Sequence, residues 1–280
     1  MKSAMWMETT FLPALARDLE RLSANEAMRY ATRGGKRLRP QLLWEVAAAL
    51  SGGTLDDATT EALTHAAVAL ELVHAYSLVH DDLPAMDDDT LRRGQPTVHC
   101  AFGEAEGVLC GDALLNGAFE VLFEATSKAT PPLEERLVTA GLWLARAAGS
   151  RGMIGGQRDD LALQHADAEK TRRMVEKKTG ALFEAACAMG AVLVGATEED
   201  IEKAAAFGRT FGLLFQLADD CADREQDERQ GKWTWAVALG DALAPTLEHL
   251  CDEAVALARE LRMDHLTGPI HQIAHERRMT

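Results

Sequence analysis

The sequence lacks the features that mark several large protein classes. Aromatic residues are only 5% of the chain, too few for a surface that stacks successive nucleic-acid bases. There is no Walker-type glycine loop ending in Lys-Ser or Lys-Thr, which argues against nucleotide hydrolysis, and no nucleophile-base pair is visible. The five cysteines, Cys100, Cys110, Cys187, Cys221 and Cys251, show neither a CxxC pair nor zinc spacing. Their odd number fits reduced thiols used in packing. Long hydrophobic runs are absent too. The most apolar uncharged stretch, 185–197, falls short of the roughly 20 residues that cross a bilayer, so it predicts a buried helix and no transmembrane segment. The N-terminal residues show no apolar core or cleavage site, so no signal peptide is expected and the expected location is cytoplasmic.

What the chain does contain is helix-forming material. Ala, Leu, Glu and Arg dominate, β-branched runs are scarce, and apolar residues recur at helical spacing; nearly every segment is predicted helical and no strand is predicted. The expected breaks fall at Gly34-Gly35, Ser51-Gly52-Gly53, Gly94-Gln95-Pro96, Thr130-Pro131-Pro132, Gly155-Gly156, Gly195-Ala196-Thr197 and Gly231. With 280 residues, 47% of them hydrophobic, and no convincing linker, the expected architecture is an all-α, large single-domain bundle over 1–280. A formal net charge of -15 repels nucleic-acid backbones and anionic lipid. No nucleic-acid partner is therefore expected, and clustered cations need a local explanation.

Two helical stripes turn from apolar to ionisable. Leu63, Ala67, Leu70, His74, Ser77 and Asp81 follow alternating steps of four and three, which places them on one core-facing stripe. Gly208, Gly212, Gln216, Asp219 and Asp223 form a second stripe of similar spacing. Polar groups on the buried face of a bundle cost free energy unless paired or metal-bound, so the stripes predict a cavity between facing helices.

Each stripe ends in carboxylates. Asp81 and Asp82 close the first helix, Pro84 interrupts it, and Asp87, Asp88 and Asp89 follow in the turn. Such a run is often a solvated loop. Here the apolar stripe leading into Asp81 favours metal binding, because crowded hard oxygen ligands suit Mg²⁺. In Asp219-Asp220-Cys221-Ala222-Asp223, Asp219 and Asp223 lie one turn apart and can share a cation. Cations supply the other half. Arg33-Gly34-Gly35-Lys36-Arg37-Leu38-Arg39-Pro40 combines a flexible glycine pair with positive charge at a helix start, a phosphate-site pattern. Arg92 and Arg93, Lys177-Lys178-Thr179-Gly180 and Gly231-Lys232 recur later. Divalent ions can bridge Asp clusters to phosphate oxygens while Lys and Arg neutralise the rest, so the expected substrate is a diphosphate with an apolar organic part.

These residues closely resemble the trans-isoprenyl diphosphate synthase (polyprenyl synthetase) family of head-to-tail prenyltransferases, particularly bacterial short-chain farnesyl diphosphate synthases. The resemblance runs from Gly34 to Lys232 and rests on Gly34-Gly35-Lys36-Arg37-Leu38-Arg39-Pro40, on 74–80 leading into Asp81 to Asp89, and on Thr90-Leu91-Arg92-Arg93-Gly94. Gly111-Asp112-Ala113-Leu114-Leu115, Gly155-Gly156-Gln157, Lys178-Thr179-Gly180 and Phe215-Gln216-Leu217-Ala218-Asp219-Asp220 extend it in the same order.

The resemblance implies an isoprenoid-synthase bundle with a central active-site cavity, and a homodimer. It implies condensation of isopentenyl diphosphate with an allylic diphosphate, dimethylallyl or geranyl, through ionisation of the allylic C–O bond. Asp81, Asp82, Asp87, Asp219, Asp220 and Asp223 match the Mg²⁺-holding aspartates, with about three ions per site once diphosphate is bound. Arg92, Lys178, Thr179 and Gln216 match allylic-substrate contacts, and Gly35, Lys36, Arg39, His74 and Arg93 the isopentenyl diphosphate site. Tyr76 and Ser77, five and four residues before Asp81, match the chain-length positions. A bulky Tyr76 resembles C15 producers, which points to farnesyl diphosphate, with geranylgeranyl (C20) as the alternative; Tyr76 as plain core packing stays equally open. The segment after Asp223 is shorter than the family pattern, which leaves the role of Lys232 open. Two rivals are weighed. A terpene cyclase or head-to-head synthase lacks the Gly34 to Pro40 anion site, and a non-catalytic regulatory subunit usually loses an aspartate motif.

Overall fold

The computed structural model describes residues 3–163, 165, 167–230 and 233–276, with the side chains of 223, 225–230 and 276 excluded. The chain is 79% helical. In order it forms α1 (Ser3–Trp6), a π turn (Met7–Phe11), α2 (Leu12–Arg21), α3 (Glu26–Ala31), α4 (Leu38–Leu50) and α5 (Asp57–Asp81). After a short hairpin, β1 (Leu91–Arg92) and β2 (Gln95–Pro96), come α6 (Val98–Phe102), α7 (Glu104–Lys128), α8 (Leu133–Ala148), α9 (Met153–Leu161) and α10 (Ala168–Val175). A second π turn (Glu176–Gly180) leads into α11 (Ala181–Leu193), α12 (Glu198–Gln230), α13 (Trp235–Leu239), α14 (Leu243–Glu260) and α15 (Thr267–Glu276).

Local chemistry sets several helix starts. Asp56 accepts from the Thr59 N–H at 2.7 Å to cap α5, Asn25 caps α3 through Met28, and Asp167 caps α10 through Lys170. Gly195, at φ 71°, closes α11 with the bonds Gly195 N–H to Val192 O and Ala196 N–H to Ala191 O. Two expectations need correction. The pair Gly155-Gly156 lies inside α9 instead of breaking the chain, because the backbone there is crowded. A Cβ on Gly156 would sit 2.2 Å from the Lys178 backbone nitrogen, so glycine lets α9 meet the second π turn. The second correction is the hairpin, where no strand was expected. Arg93 and Gly94 both take positive φ, 54° and 75°, the pattern of a primed two-residue turn.

The core has two parts that share α11. One is built on α5, α7, α8 and the N-terminal helices, where Trp6 stacks on Trp44 at 4.6 Å and donates to Thr64. The other lies between α4, α11, α12, α14 and α15. Leu182 through Leu193 are buried except Glu184, as expected for the apolar stretch around 185–197. Among the described residues α5 is the one helix long and apolar enough to cross a membrane. Its most apolar window is 83% buried inside the protein, which is the position of a central core helix.

Candidate active site

Helices α4, α5 and α12, with the second π turn, enclose a cavity of about 1300 Å³. The first stripe behaves as its spacing predicts: Leu63, Ala67 and Leu70 are fully buried, and His74, Ser77 and Asp81 line the cavity. The second stripe works the same way. Gly208 and Gly212 allow α12 to press onto α11, with ideal Cβ positions 2.4 Å from the Phe183 carbonyl and 3.0 Å from Gly180. That close approach brings Gln216 and Asp219 to the cavity wall. Asp81, Asp87 and Asp219 therefore face one space from two sides of the bundle.

Not all expected carboxylates point there. Asp82, 3% exposed, accepts from Arg92 Nε at 3.0 Å and also from Nη2, while Arg92 reaches Asp89 at 3.2 Å. Asp82 lines a smaller adjoining cavity instead of the large one. Asp220 is likewise engaged within the fold: it accepts from Gln216 at 2.7 Å and from the Trp235 backbone N–H at 3.1 Å, which anchors the start of α13. The Asp223 side chain and Lys232 lie outside the described residues.

The electrostatics of the acidic wall suit a divalent cation. Burial, with the neighbouring Asp87 and Asp82, pushes the Asp81 carboxyl up to about 6 against the opposing pull of Lys178 and Arg92. Crowded carboxylates of this kind are ionised most readily beside a divalent ion. Among the described residues no group of three or more Asp, Glu, His or Cys side chains is placed to hold a metal ion by itself.

Lys178 reaches across to this wall. It donates to Asp160 at 2.6 Å and lies 3.9 Å from Asp87. Burial opposes its charge, yet Asp160, Asp81 and Asp87 together raise it above an ordinary lysine. Thr179 donates to Gln216 Oε1 at 3.0 Å, which fixes the amide that also holds Asp220.

The basic pole lies at the start of α4. Gly35 has φ 88°, and an added Cβ would stand 2.7 Å from Arg93 Nη1, so the Arg93 guanidinium lies flat against a position that only glycine leaves open. Arg93 also donates to the Arg33 carbonyl at 3.2 Å. Arg39 stacks over Phe183 at 4.2 Å and contacts His74 Nε2 at 3.3 Å; Lys36 stands over Phe215 at 5.5 Å. Burial and the charges of Arg39, Arg93, Arg37 and Arg92 hold His74 well below the usual histidine range. It is a neutral imidazole, so its Nε2 accepts from Arg39.

Ser77 lines the cavity and donates to the His74 carbonyl at 2.9 Å. Tyr76 does not line it: the ring is 5% exposed and meets His80 edge-on at 5.7 Å. His80 in turn is wedged against Gly111 of α7 and bonds the Val108 carbonyl at 3.0 Å. Three lining residues, Glu71, Met153 and Phe183, stood in none of the motifs read from the sequence, while Arg37 and Phe215 stood inside motifs without a role of their own. Glu71 had a legible signal, a carboxylate inside the apolar run Ala66 to Val73; Asp160 had one in its place three residues after Gln157. Met153 and Phe183 had none.

An all-helical bundle whose cavity has two acidic walls and a basic pole defines an isoprenoid-synthase type of protein. A model of the polyprenyl synthetase family matches residues 22–237, and the chain belongs to that family. It is 45% identical over 218 residues to a chloroplastic geranylgeranyl pyrophosphate synthase, number 12, of Arabidopsis thaliana, covering 75% of this chain and 58% of that protein. A second relative from the same plant, number 11, is 44% identical over 252 residues, covering 86% of this chain and 68% of its own length. The chain thus spans about three fifths to two thirds of these curated relatives. Among solved structures, an FPP/GFPP synthase from Zymomonas mobilis superposes with a TM-score of 0.83 at 35% identity, covering 97% of this chain and 98% of its own.

Proposed function

We propose that the protein is a Mg²⁺-dependent head-to-tail prenyltransferase that joins isopentenyl diphosphate to dimethylallyl or geranyl diphosphate. One observation carries this reading. Asp81, Asp87 and Asp219 share a single cavity with Lys36, Arg39 and Lys178, and Phe183, Phe215 and Met153 complete its lining. A diphosphate needs the first two groups and a hydrocarbon the third.

Asp81, Asp87 and Asp219 would hold Mg²⁺, with Asp82, Asp220 and Asp223 as further family-matched positions. The ion supplies charge neutralisation for a departing pyrophosphate. Lys178 and Arg92 add positive charge on the same side, where negative charge develops as the allylic C–O bond breaks and its electrons leave with the phosphate oxygen. Lys36, Arg39 and Arg93 hold the second diphosphate, so that its double bond attacks the allylic cation. His74 is neutral and engaged by Arg39. The family resemblance implies that the proton lost in forming the new double bond passes to the released pyrophosphate.

For the product, farnesyl diphosphate is the reading that the bulk of Tyr76 supports. Geranylgeranyl diphosphate is the second reading, favoured by the names of the plant relatives and by the position of Tyr76 outside the cavity lining. Cytoplasmic location, a single domain over 1–280 and a homodimer belong to the same proposal. The test is incubation of the protein with Mg²⁺, isopentenyl diphosphate and each allylic substrate, with product length read by mass spectrometry. Elongation to C15 is expected; a C20 product selects the second reading, and no elongation at saturating substrate sinks the enzyme.

A further inference from the structure

Glu71 is a carboxylate on the wrong side of the cavity. Of the described lining carboxylates, Asp81, Asp87 and Asp219 belong to the acidic walls, and Glu71 sits among the cations. It is 3% exposed, one turn before His74 on α5. Its Oε1 accepts from Arg37 Nη1, and Arg37 Nη2 donates to the Thr32 carbonyl. Arg37 caps α4 in a left-handed conformation, φ 51° and ψ 33°, which residues other than glycine adopt only where surrounding contacts hold them. Glu71 and Thr32 are those contacts. The turn they hold separates Lys36 from Arg39, so its geometry sets where both cations point. The same carboxylate is the anion that offsets burial at Arg39 and at Arg93.

We infer that Glu71 is a positioning residue for the second-substrate site: by holding Arg37 it fixes the left-handed turn that aims Lys36 and Arg39 at the diphosphate of isopentenyl diphosphate. This rests on the prenyltransferase reading above. A carboxylate near an anion site could also act by simple repulsion, but Arg37 already neutralises Glu71, so loss of the clamp outweighs relief of repulsion.

The test is steady-state kinetics with each substrate varied in turn. Glu71→Gln keeps the shape and removes the charge-assisted bond; it is expected to raise the KM for isopentenyl diphosphate about tenfold and to move the allylic KM less than about twofold. Glu71→Asp, which keeps the charge, should give an intermediate value. Arg37→Met should raise the same KM, and the double variant Glu71→Gln/Arg37→Met should be no worse than the poorer single variant, because the two act through one contact. A fall in the isopentenyl KM, equal rises in both KM values, a Glu71→Asp value as poor as Glu71→Gln, or additive effects in the double variant would each overturn the assignment. Wild-type protein that elongates nothing would instead remove the reading beneath it.

Discussion

Asp81 shows how much one side chain owes to its surroundings. At the end of a buried stripe, and beside Asp87, its carboxyl is pushed up to about 6. Removing it should leave the bundle intact and the chemistry without its first anchor. Asp81→Ala is expected to lower turnover at least about 100-fold with an unchanged helical CD spectrum, and normal turnover would take Asp81 out of the metal site. His74 carries a pH signature. Its pKa in the folded protein lies well below 6.5, so below about pH 6.5 the unfolded chain takes up a proton that the native state refuses. The His74 contribution is thus fully present above the unfolded pKa and is lost as pH falls toward the folded one. Asp81, raised in the fold, contributes the opposite slope between its ordinary value and about 6. Denaturation of wild type against His74→Gln separates the two: the variant should lose less stability between pH 7 and pH 5, and identical slopes would contradict a buried neutral imidazole.

Between elements, the decisive contact is α11 against α12. Gly208 places backbone where a side chain would strike the Phe183 carbonyl at 2.4 Å, and a carbonyl in a helix cannot swing aside as a flexible side chain can. Gly208→Ala should therefore destabilise the protein by about 1–3 kcal/mol in thermal or denaturant unfolding. It should also draw Gln216 and Asp219 away from the cavity, since both ride on α12. A stability change under about 0.5 kcal/mol would mean the interface has slack. The hairpin between β1 and β2 is the smaller counterpart. Its Arg93-Gly94 turn sends Arg92 back to Asp82 and Arg93 onto Gly35, so two residues of strand on each side connect the acidic wall to the basic pole.

On the scale of the molecule, a surface of α7 and α8 stands out. Leu109 is 62% exposed, Phe123 71% and Val138 51%, and Val108 and Leu142 on the same two helices are exposed as well. A second copy of the chain is the proposed cover for these side chains. Light scattering on a sizing column should report a dimer for the wild type and a monomer for Phe123→Asp; a wild-type monomer at micromolar concentration would remove the homodimer from the proposal.

The sequence by itself determined the helical class, the two stripes and the chemistry at their ends. Those follow from the 3.6-residue period and from the cost of burying carboxylates, both of which act locally along the chain. It also carried the glycine pair that admits Arg93, although not the reason for it. Tertiary structure alone decided what the aspartates off the two stripes engage. Asp82 and Asp220 sit beside Asp81 and Asp219 in sequence, but neighbours on a helix point about 100° apart, so one of each pair reaches the cavity and the other finds Arg92 or the start of α13. The same rotation takes Tyr76 away from the cavity and leaves Ser77 on it. Glu71 acquires meaning only when Arg37, 34 residues earlier in the chain, folds against it.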